Sequence, residues 1–253
     1  MLFNRRRIEK AAAVLFALLV WQIGATIVNR SFLIATPAAV VQRLFGLCTE
    51  AGFFGTLGFS FARIVSGYLL ALAAGSLLAV VAGRFHTVEV MLWPFIQTIK
   101  SVPVASFIIL CLIWLNSRNL SVFISFLMVL PIVYTNMLQG IKSTDKKLLE
   151  MATLFRVNWL KRIEFIYLPH LKPFLMSACS VSIGLSWKAG IAAEVIGIPD
   201  GSIGEMLYES KVYYSMVDLF AWTVLIVIIS VVFEKLFVYL LRKLFELLQT
   251  PRV

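Results

Sequence analysis

Two long apolar stretches of this chain, residues 91–115 and 173–197, contain side chains that could contact a polar solute. A charged group at the centre of a lipid bilayer costs about 2.5–3.5 kcal/mol on insertion scales, so it usually faces a polar interior. The pattern therefore predicts a solute path across a membrane. The side chains assigned to that path are Ser182, Ser186, Trp187, Lys188, Glu194 and Lys100. For both lysines, a side chain that extends to the membrane interface is the alternative.

Residue types that support enzymatic or metal chemistry are sparse. The two histidines, His86 and His170, have no carboxylates at ligand spacing, and the three cysteines form no C-x-x-C pair. An enzyme needs a nucleophile, a metal or an acid–base pair. The sequence accordingly predicts no catalytic residue, no metal site and no cofactor, and it argues against the enzyme class.

The apolar segments that hold these residues determine the fold class. Hydrophobic residues make up 60% of the chain and charged residues 14%, which is outside the range of ordinary soluble domains. A helix needs about 20 apolar residues to cross a hydrocarbon core about 30 Å thick. An all-α integral membrane protein with about six transmembrane helices is predicted, at 11–28, 64–83, 91–115, 121–139, 173–197 and 219–241. The third of these is interrupted by Pro94, Lys100 and Pro103.

The distribution of positive charge predicts the orientation. Most of the 23 Lys and Arg residues fall on one side of the alternating spans, beginning with Arg5, Arg6, Arg7 and Lys10. Since short cytoplasmic loops carry the excess of positive charge, both termini and the segment 141–171 are predicted to be cytoplasmic. The net charge of +10 is then a feature of membrane topology, and no nucleic-acid partner is expected. In the first outer loop, residues 37–47 are predicted to form a short helix.

Small residues at every fourth position predict close packing of two spans. The second span carries Gly67, Ala71, Gly75, Ala79 and Gly83, and the fifth carries Ala178, Ser182, Ser186 and Gly190. In lipid, such ridges let helix backbones approach each other. On the fifth span the hydroxyl groups and the adjoining charges favour an additional role in the solute path.

The segment 141–171 between the fourth and fifth spans is the longest and most highly charged of the inward-facing segments. Thr144 and Asp145 are suitable helix caps, and apolar residues from Leu148 to Phe155 recur at helical spacing. Residues 156–158 interrupt the pattern, and 159–168 are predicted to form a second short helix that ends at Pro169. Such a pair of amphipathic helices suits a partner's groove or a hairpin on the membrane surface.

In this segment Glu150, Met151 and Ala152, followed by Ile163 and Pro169, resemble the EAA loop of ABC importer permeases. In that family the loop is a coupling helix that seats in a cleft of the ATPase subunit. The resemblance implies a coupling role for Glu150, Met151, Ala152, Phe155, Arg156, Trp159, Ile163 and Pro169. Two residues depart from the family pattern, because Met151 stands where the family prefers Ala and Arg156 where it prefers Gly. The arginine is expected to alter the turn between the short helices, since Arg tolerates a left-handed backbone poorly, whereas nearby Asn158 accepts it better.

Further stretches resemble the nitrate, sulfonate and taurine branch of these permeases, at 33–37, 81–84, 94–103 and 184–204. The resemblance implies a type I ABC importer permease fold, with residues 1–253 as a single transmembrane domain in the bacterial cytoplasmic (inner) membrane. It implies two ABC ATPase subunits, a second permease copy in a homodimer and an extracytoplasmic substrate-binding protein, besides membrane lipid. The implied solute is small and either sulfonate-, taurine- or nitrate-like or vitamin-precursor-like.

The source of energy separates this interpretation from its main alternative. No G-x-x-x-x-G-K-[ST] motif occurs in the sequence, so a separate partner must hydrolyse the ATP. A secondary transporter driven by an ion gradient would also have six or more spans with charges inside the membrane. It has no need of an amphipathic loop such as 141–171, and no repeat relates the two halves of the chain.

Overall fold

The computed structural model describes residues 2–28 and 33–249, and in these residues the fold is all-α. The elements are α1 (Leu2–Val28), α2 (Pro37–Leu47), α3 (Phe53–Arg84), α4 (His86–Ser101), α5 (Val104–Cys111), α6 (Ser117–Lys142), α7 (Lys146–Leu154), α8 (Trp159–Arg162), a π-helical turn (Ile163–Tyr167), α9 (Leu168–Gly197), α10 (Ile203–Val212) and α11 (Met216–Gln249). The basic side chains of Arg5, Arg6, Arg7 and Lys10 lie outside the described part.

Four helices of the described chain are long and apolar enough to cross a membrane, namely α3, α6, α11 and the continuous run from α8 to α9. The pair α4 and α5 is a fifth candidate, and the apolar part of α1, Ala12–Val28, is shorter than the other candidates. The predicted spans other than the third each lie within one of these helices, whereas the third, 91–115, runs through α4 and α5 and past Cys111. The second span begins earlier than predicted, because α3 starts at Phe53, so Arg63 lies in a helix and not in a loop.

The third predicted span is bent. Its two helices meet at 103° across the break at Val102 and Pro103. Pro103 has no N–H and ends the ladder of backbone hydrogen bonds there. Pro94 lies inside α4 without ending it. The interruption predicted from the three residues therefore comes from one of the two prolines.

The centre of the protein is the packing of α3 against α6 and of α6 against α9. The small-residue ridge of α3 faces α6: a methyl group on Gly67 would overlap the carbonyl oxygen of Val122, and one on Gly75 would lie 3.1 Å from Val133. A methyl group on Gly83 would lie 2.8 Å from the Ile141 side chain. The prediction of close packing by this ridge is confirmed, since a methyl group at any of these three glycines would lie closer to α6 than ordinary van der Waals contact.

The ridge of α9 also packs inside the protein. A methyl group on Gly190 would lie 2.6 Å from Ile64 and from the hydroxyl of Ser125. Ser182 and Ser186 are completely buried, and their hydroxyls donate to carbonyls of their own helix. Both hydroxyls are thus satisfied within the helix bundle of this protomer.

The short helix α2 has the predicted bounds, 37–47. The Thr36 hydroxyl accepts from the Ala39 N–H, and Pro37 occupies the first turn, where its missing N–H costs nothing. Arg43 ties the helix to α11 by donating to Asp218, and this hydrogen bond raises the pKa of Arg43 above its usual value. The Arg43 side chain also donates to Glu50 at 2.5 Å.

Helix α10 was not predicted, because the segment after 197 was interpreted as an outer loop. Its start has the signature of a capping box. The Ser202 hydroxyl accepts from the Glu205 N–H at 3.0 Å, and the Glu205 carboxylate accepts from the Gly201 N–H at 2.5 Å. The S-x-x-E spacing in the sequence was therefore the available signal.

Candidate coupling and transport sites

Helix α7 opens the predicted coupling loop. The carboxylate of Asp145 accepts from the Lys147 N–H at 2.8 Å and caps the helix. Thr144 lies just before it with its hydroxyl turned back to Gly140. Of the two predicted caps, Asp145 is the one that starts the helix.

The turn after α7 contains the departure from the family pattern. Arg156 has a φ of +53°, the left-handed conformation that favours glycine. The Val157 N–H donates to Ala152 at 2.9 Å and the Arg156 N–H donates to Thr153 at 3.1 Å, which together form a Schellman motif. Asn158 has an extended backbone and does not relieve the arginine. The arginine thus adopts the glycine conformation, and the turn is kept in spite of the substitution.

Arg162 holds the loop closed. Its guanidinium donates to the carbonyl oxygen of Val157 at 2.9 Å, to that of Ala152 at 3.1 Å and to the hydroxyl of Thr153 at 3.1 Å. A planar guanidinium can make several such bonds at once with little loss of freedom for each. These bonds join α8 to the end of α7. The role of Arg162 was not predicted, because the sequence of a charged loop does not show which acceptors a basic residue contacts.

The second short helix does not stop at Pro169, and that prediction was wrong. The chain runs from α8 through the π-helical turn into α9 without a break, and Pro169 lies in the first turn of α9. At the end of the π-turn the Leu168 N–H bonds to the carbonyl of Ile163. The proline follows this change of hydrogen-bond pattern, where its missing N–H is tolerated.

The loop presents an apolar surface that the protein itself does not cover. Leu154 is 80% exposed, Phe155 73% and Trp159 57%. Their exposed apolar neighbours are Leu148, Met151, Leu160, Ile163 and Phe165. Glu150 is exposed beside them, whereas Ala152 is buried under the loop. Large apolar side chains gathered on one knob mark a surface that binds a partner or lipid.

The residues predicted to line a solute path do not share one surface. Lys188 and Lys100 are exposed, and neither forms an ion pair among the residues that the structure describes. Trp187 is buried, as are Ser182 and Ser186. On α9, Val181 and Lys188 are exposed, and Gly184 between them is partly exposed. The structure therefore brings Lys188 to the surface and the hydroxyls into the core.

Glu194 is fully buried at the opposite end of α9 from the coupling loop. Its Oε2 accepts from the Ser60 hydroxyl at 2.7 Å and from the Gly204 N–H at 3.4 Å. The same Ser60 oxygen accepts from the Ile203 N–H at 2.9 Å. Glu194 and Ser60 thereby supply acceptors for two free N–H groups at the start of α10. A carboxylate is also favoured there by the helix dipole.

Three neighbouring polar atoms complete this end of the bundle. Glu194 interacts electrostatically with Arg63 and lies beside the Ser121 hydroxyl. The Glu194 Oε1, an Nη of Arg63 and the Ser121 oxygen are buried, and none of them has a hydrogen-bond partner in the described part of the chain. We call Ser60, Arg63, Ser121 and Glu194 the polar node. It connects α3, α6, α9 and α10, which is a packing role that the sequence did not separate from a role in the path.

Comparison with known proteins agrees with this architecture. Residues 67–248 match the family described as "binding-protein-dependent transport system inner membrane component". The chain is 27% identical over 230 residues to a putative aliphatic sulfonates transport permease protein of Bacillus subtilis, covering 90% of this chain and 83% of the relative. It is 26% identical over 202 residues to a nitrate import permease protein of Leptolyngbya laminosa, covering 76% and 71%.

A bicarbonate transport system permease protein of Synechococcus elongatus is 21% identical over 242 residues, which cover 91% of this chain and 87% of the relative. The family match extends over more than half of the chain and includes α6, the coupling loop, α9 and α10. The chain therefore belongs to the family of binding-protein-dependent transport system inner membrane components, the permeases of ABC transporters, and its all-α architecture is their type I fold.

Proposed function

We propose that this chain is the membrane subunit of an ATP-driven importer in the bacterial cytoplasmic membrane. Residues 1–253 form one transmembrane domain, with both termini and the coupling loop 141–171 in the cytoplasm. Two such chains form a homodimer with two ATPase subunits. An extracytoplasmic binding protein delivers the solute to the opposite face.

The observation that carries the proposal is the coupling loop, which is apolar outside and braced inside. Phe155 and Leu154 are mostly exposed, while Arg162 bonds to three oxygens behind them. A surface that must transmit force needs both features, because contact requires apolar side chains and transmission requires a fixed backbone. The same surface includes Glu150, Met151, Ile163 and Arg156, the last of which differs from the family pattern. Pro169 lies where the loop passes into α9.

Closure of the ATPases would move this loop and, through α8 and the π-helical turn, the outer end of α9. The polar node joins that end to α10. Movement of α9 would thus carry α10 with it and alternate the access of a central path. Lys188 is the charged residue of α9 that such a path would expose, and Lys100 lies at the bend between α4 and α5. Ser182, Ser186 and Trp187 support this wall from inside the protomer.

The solute proposed for the path is a small anion. The relatives compared above are named for aliphatic sulfonates, nitrate and bicarbonate, and all three are anions. An exposed lysine within a span suits an anionic solute, because a positive charge in a low-dielectric path attracts it. Other small solutes, vitamin precursors among them, are the alternative if Lys188 proves irrelevant.

The coupling role is tested by a matched pair of substitutions. Phe155 and Phe45 are similarly exposed, at 73% and 74%, and Phe45 belongs to α2 and not to the coupling loop. Phe155→Ser should reduce copurification of the ATPase about tenfold, because it removes most of one buried aromatic contact. Phe45→Ser should leave copurification unchanged. Equal recovery of the ATPase with both variants would refute the coupling role.

The orientation is tested with the exposed thiol of Cys48, since the other two cysteines are buried. In intact cells a membrane-impermeant maleimide should label Cys48. In a Cys48→Ser background, Lys147→Cys should be labelled only after the membrane is opened. Labelling of Lys147→Cys in intact cells would place the loop outside and overturn the importer proposal.

A further inference from the structure

A cavity of about 710 Å³ lies between the coupling loop and the bundle. It is formed where α3 and α6 end, and the coupling loop and the first turn of α9 close its other sides. Its size is within the range of about 300–1,000 Å³ that holds drug-sized ligands. The helix bundle and the loop leave this space open. Trp159 and Ile163 of the loop line it, whereas Leu154 and Phe155 do not.

The walls of the cavity divide into an apolar and a cationic part. Val80, Ile141 and Leu171 form the apolar part on the bundle side. Arg84 and Arg162 form the cationic part, and the described residues that line the cavity include no acidic side chain. A ligand that matches both parts has an apolar chain and a negatively charged head.

The two arginines have donors to spare. Arg84 is exposed and forms no ion pair among residues 33–249. Arg162 directs one N–H from each of its three nitrogens to the loop, and a guanidinium carries five N–H groups. Two N–H groups of Arg162 therefore remain for a further acceptor. An arginine that is already fixed by other bonds loses little freedom when it binds one more oxygen.

The cavity lies at the level where a membrane ends. Arg84 is the last residue of α3, and Gly83 and Val80 before it belong to a span. Trp159 and Tyr167 line the same cavity with their rings 6.3 Å apart. Tryptophan and tyrosine concentrate at the interface between headgroups and acyl chains.

We propose that this cavity binds an anionic phospholipid of the cytoplasmic leaflet. The phosphodiester is held by Arg84 and the two remaining N–H groups of Arg162, and one acyl chain lies against Val80, Ile141 and Leu171. Basic pockets between transmembrane helices on the cytoplasmic side bind anionic headgroups in this way. The proposal rests on the orientation proposed above.

Such a lipid would brace the coupling loop from behind. Its headgroup would join Arg84 of α3 to Arg162 of α8, both of which line the cavity. Transport coupled to the ATPase should then depend on the anionic lipid content of the membrane, whereas assembly with the ATPase should not.

The test uses the assembled transporter in detergent, titrated with phosphatidylglycerol, phosphatidylcholine or glycerol 3-phosphate, while its thermal unfolding is followed. Phosphatidylglycerol alone should stabilise it. Arg84→Gln should weaken that effect about tenfold, because a charge-assisted hydrogen bond is lost. Arg242→Gln, which removes an exposed arginine of α11 outside the cavity, should not. Val80→Trp should block the acyl chain and weaken the effect while keeping both charges.

Four results would overturn the proposal. They are an equal effect of phosphatidylcholine, an equal effect of glycerol 3-phosphate, equal behaviour of Arg84→Gln and Arg242→Gln, and loss of the ATPase or of the second copy from Arg84→Gln. The last would assign the cavity to a protein contact. Failure of the coupling role is seen separately, with Phe155→Ser, so the two proposals fail independently.

Discussion

The contact between Gly204 and Glu194 makes a quantitative prediction possible. A methyl group on Gly204 would overlap the Cβ and the carbonyl carbon of Glu194 and would lie 2.6 Å from the backbone nitrogen of Val195. The nearest atoms belong to the backbone and to a Cβ, so no flexible side chain can move aside. Helix α10 must retreat from α9 by about 1 Å to restore van der Waals separation.

The substitution lowers the stability in two ways and raises it in one. Overpacking costs about 1–3 kcal/mol. The hydrogen bonds from Gly204 to Glu194 and from Ile203 to Ser60 are strained, at about 1 kcal/mol for each bond lost. Alanine in place of glycine stabilises the helix by about 1 kcal/mol, because its helix propensity is higher. We therefore expect Gly204→Ala to lower the free energy of unfolding by about 2–3 kcal/mol.

A shift of the unfolding temperature measures this loss. At about 2–4 °C per kcal/mol for a chain of this size, the midpoint should fall by about 5–10 °C. Gly58→Ala is the matched control, since it also places a methyl on a helical glycine but meets nothing within 4 Å. It should unfold at or slightly above the temperature of the unsubstituted protein. The same midpoint for both variants would refute the role assigned to the contact between α9 and α10.

Three further predictions concern the loop and the path. Arg162→Lys replaces three separate donor nitrogens by one, which cannot reach all three oxygens. Hydrogen exchange at residues 155–158 should therefore become about tenfold faster, and unchanged exchange would show that other contacts hold the loop. Arg156→Gly removes the strain of a left-handed arginine and should raise stability by about 1 kcal/mol in thermal unfolding, while a lower midpoint would mean that the side chain itself stabilises the turn. Lys188→Gln should reduce uptake of an anionic solute at least about tenfold while Lys188→Arg retains it, and equal uptake by both variants would remove Lys188 from the path.

Several elements of the fold were predictable because their signals are local. Thr36 and Pro37 mark the start of α2 in the sequence, and Asp145 marks the start of α7. The glycines of α3 predicted a close neighbour, because small residues at every fourth position have few other uses in lipid. Each of these signals depends on the residue itself and not on a distant partner.

Other features depend on partners that spacing does not identify. A small-residue ridge with hydroxyls, as at Ser182 and Ser186, is compatible with a packed interface and with a polar path. Only the structure shows that this side of α9 packs against α6, where the Ser125 hydroxyl donates to the Ser186 carbonyl. The extension of α3 to Phe53 had no signal, because its cap is Gly52 without a side-chain acceptor. Pro169 was interpreted as the end of a helix. The π-helical turn that precedes it and lets the helix continue cannot be inferred from composition.

The unbroken run from Trp159 to Gly197 has a mechanical consequence. Its 39 residues form a rod of about 58 Å at 1.5 Å per residue, longer than a bilayer is thick. Tilting a stiff rod of this length by 5° about its middle displaces each end by roughly 2.5 Å. No hinge is needed for a small movement on one side of the membrane to become an equal and opposite movement on the other. The displacement of each end depends on where along the rod the pivot lies.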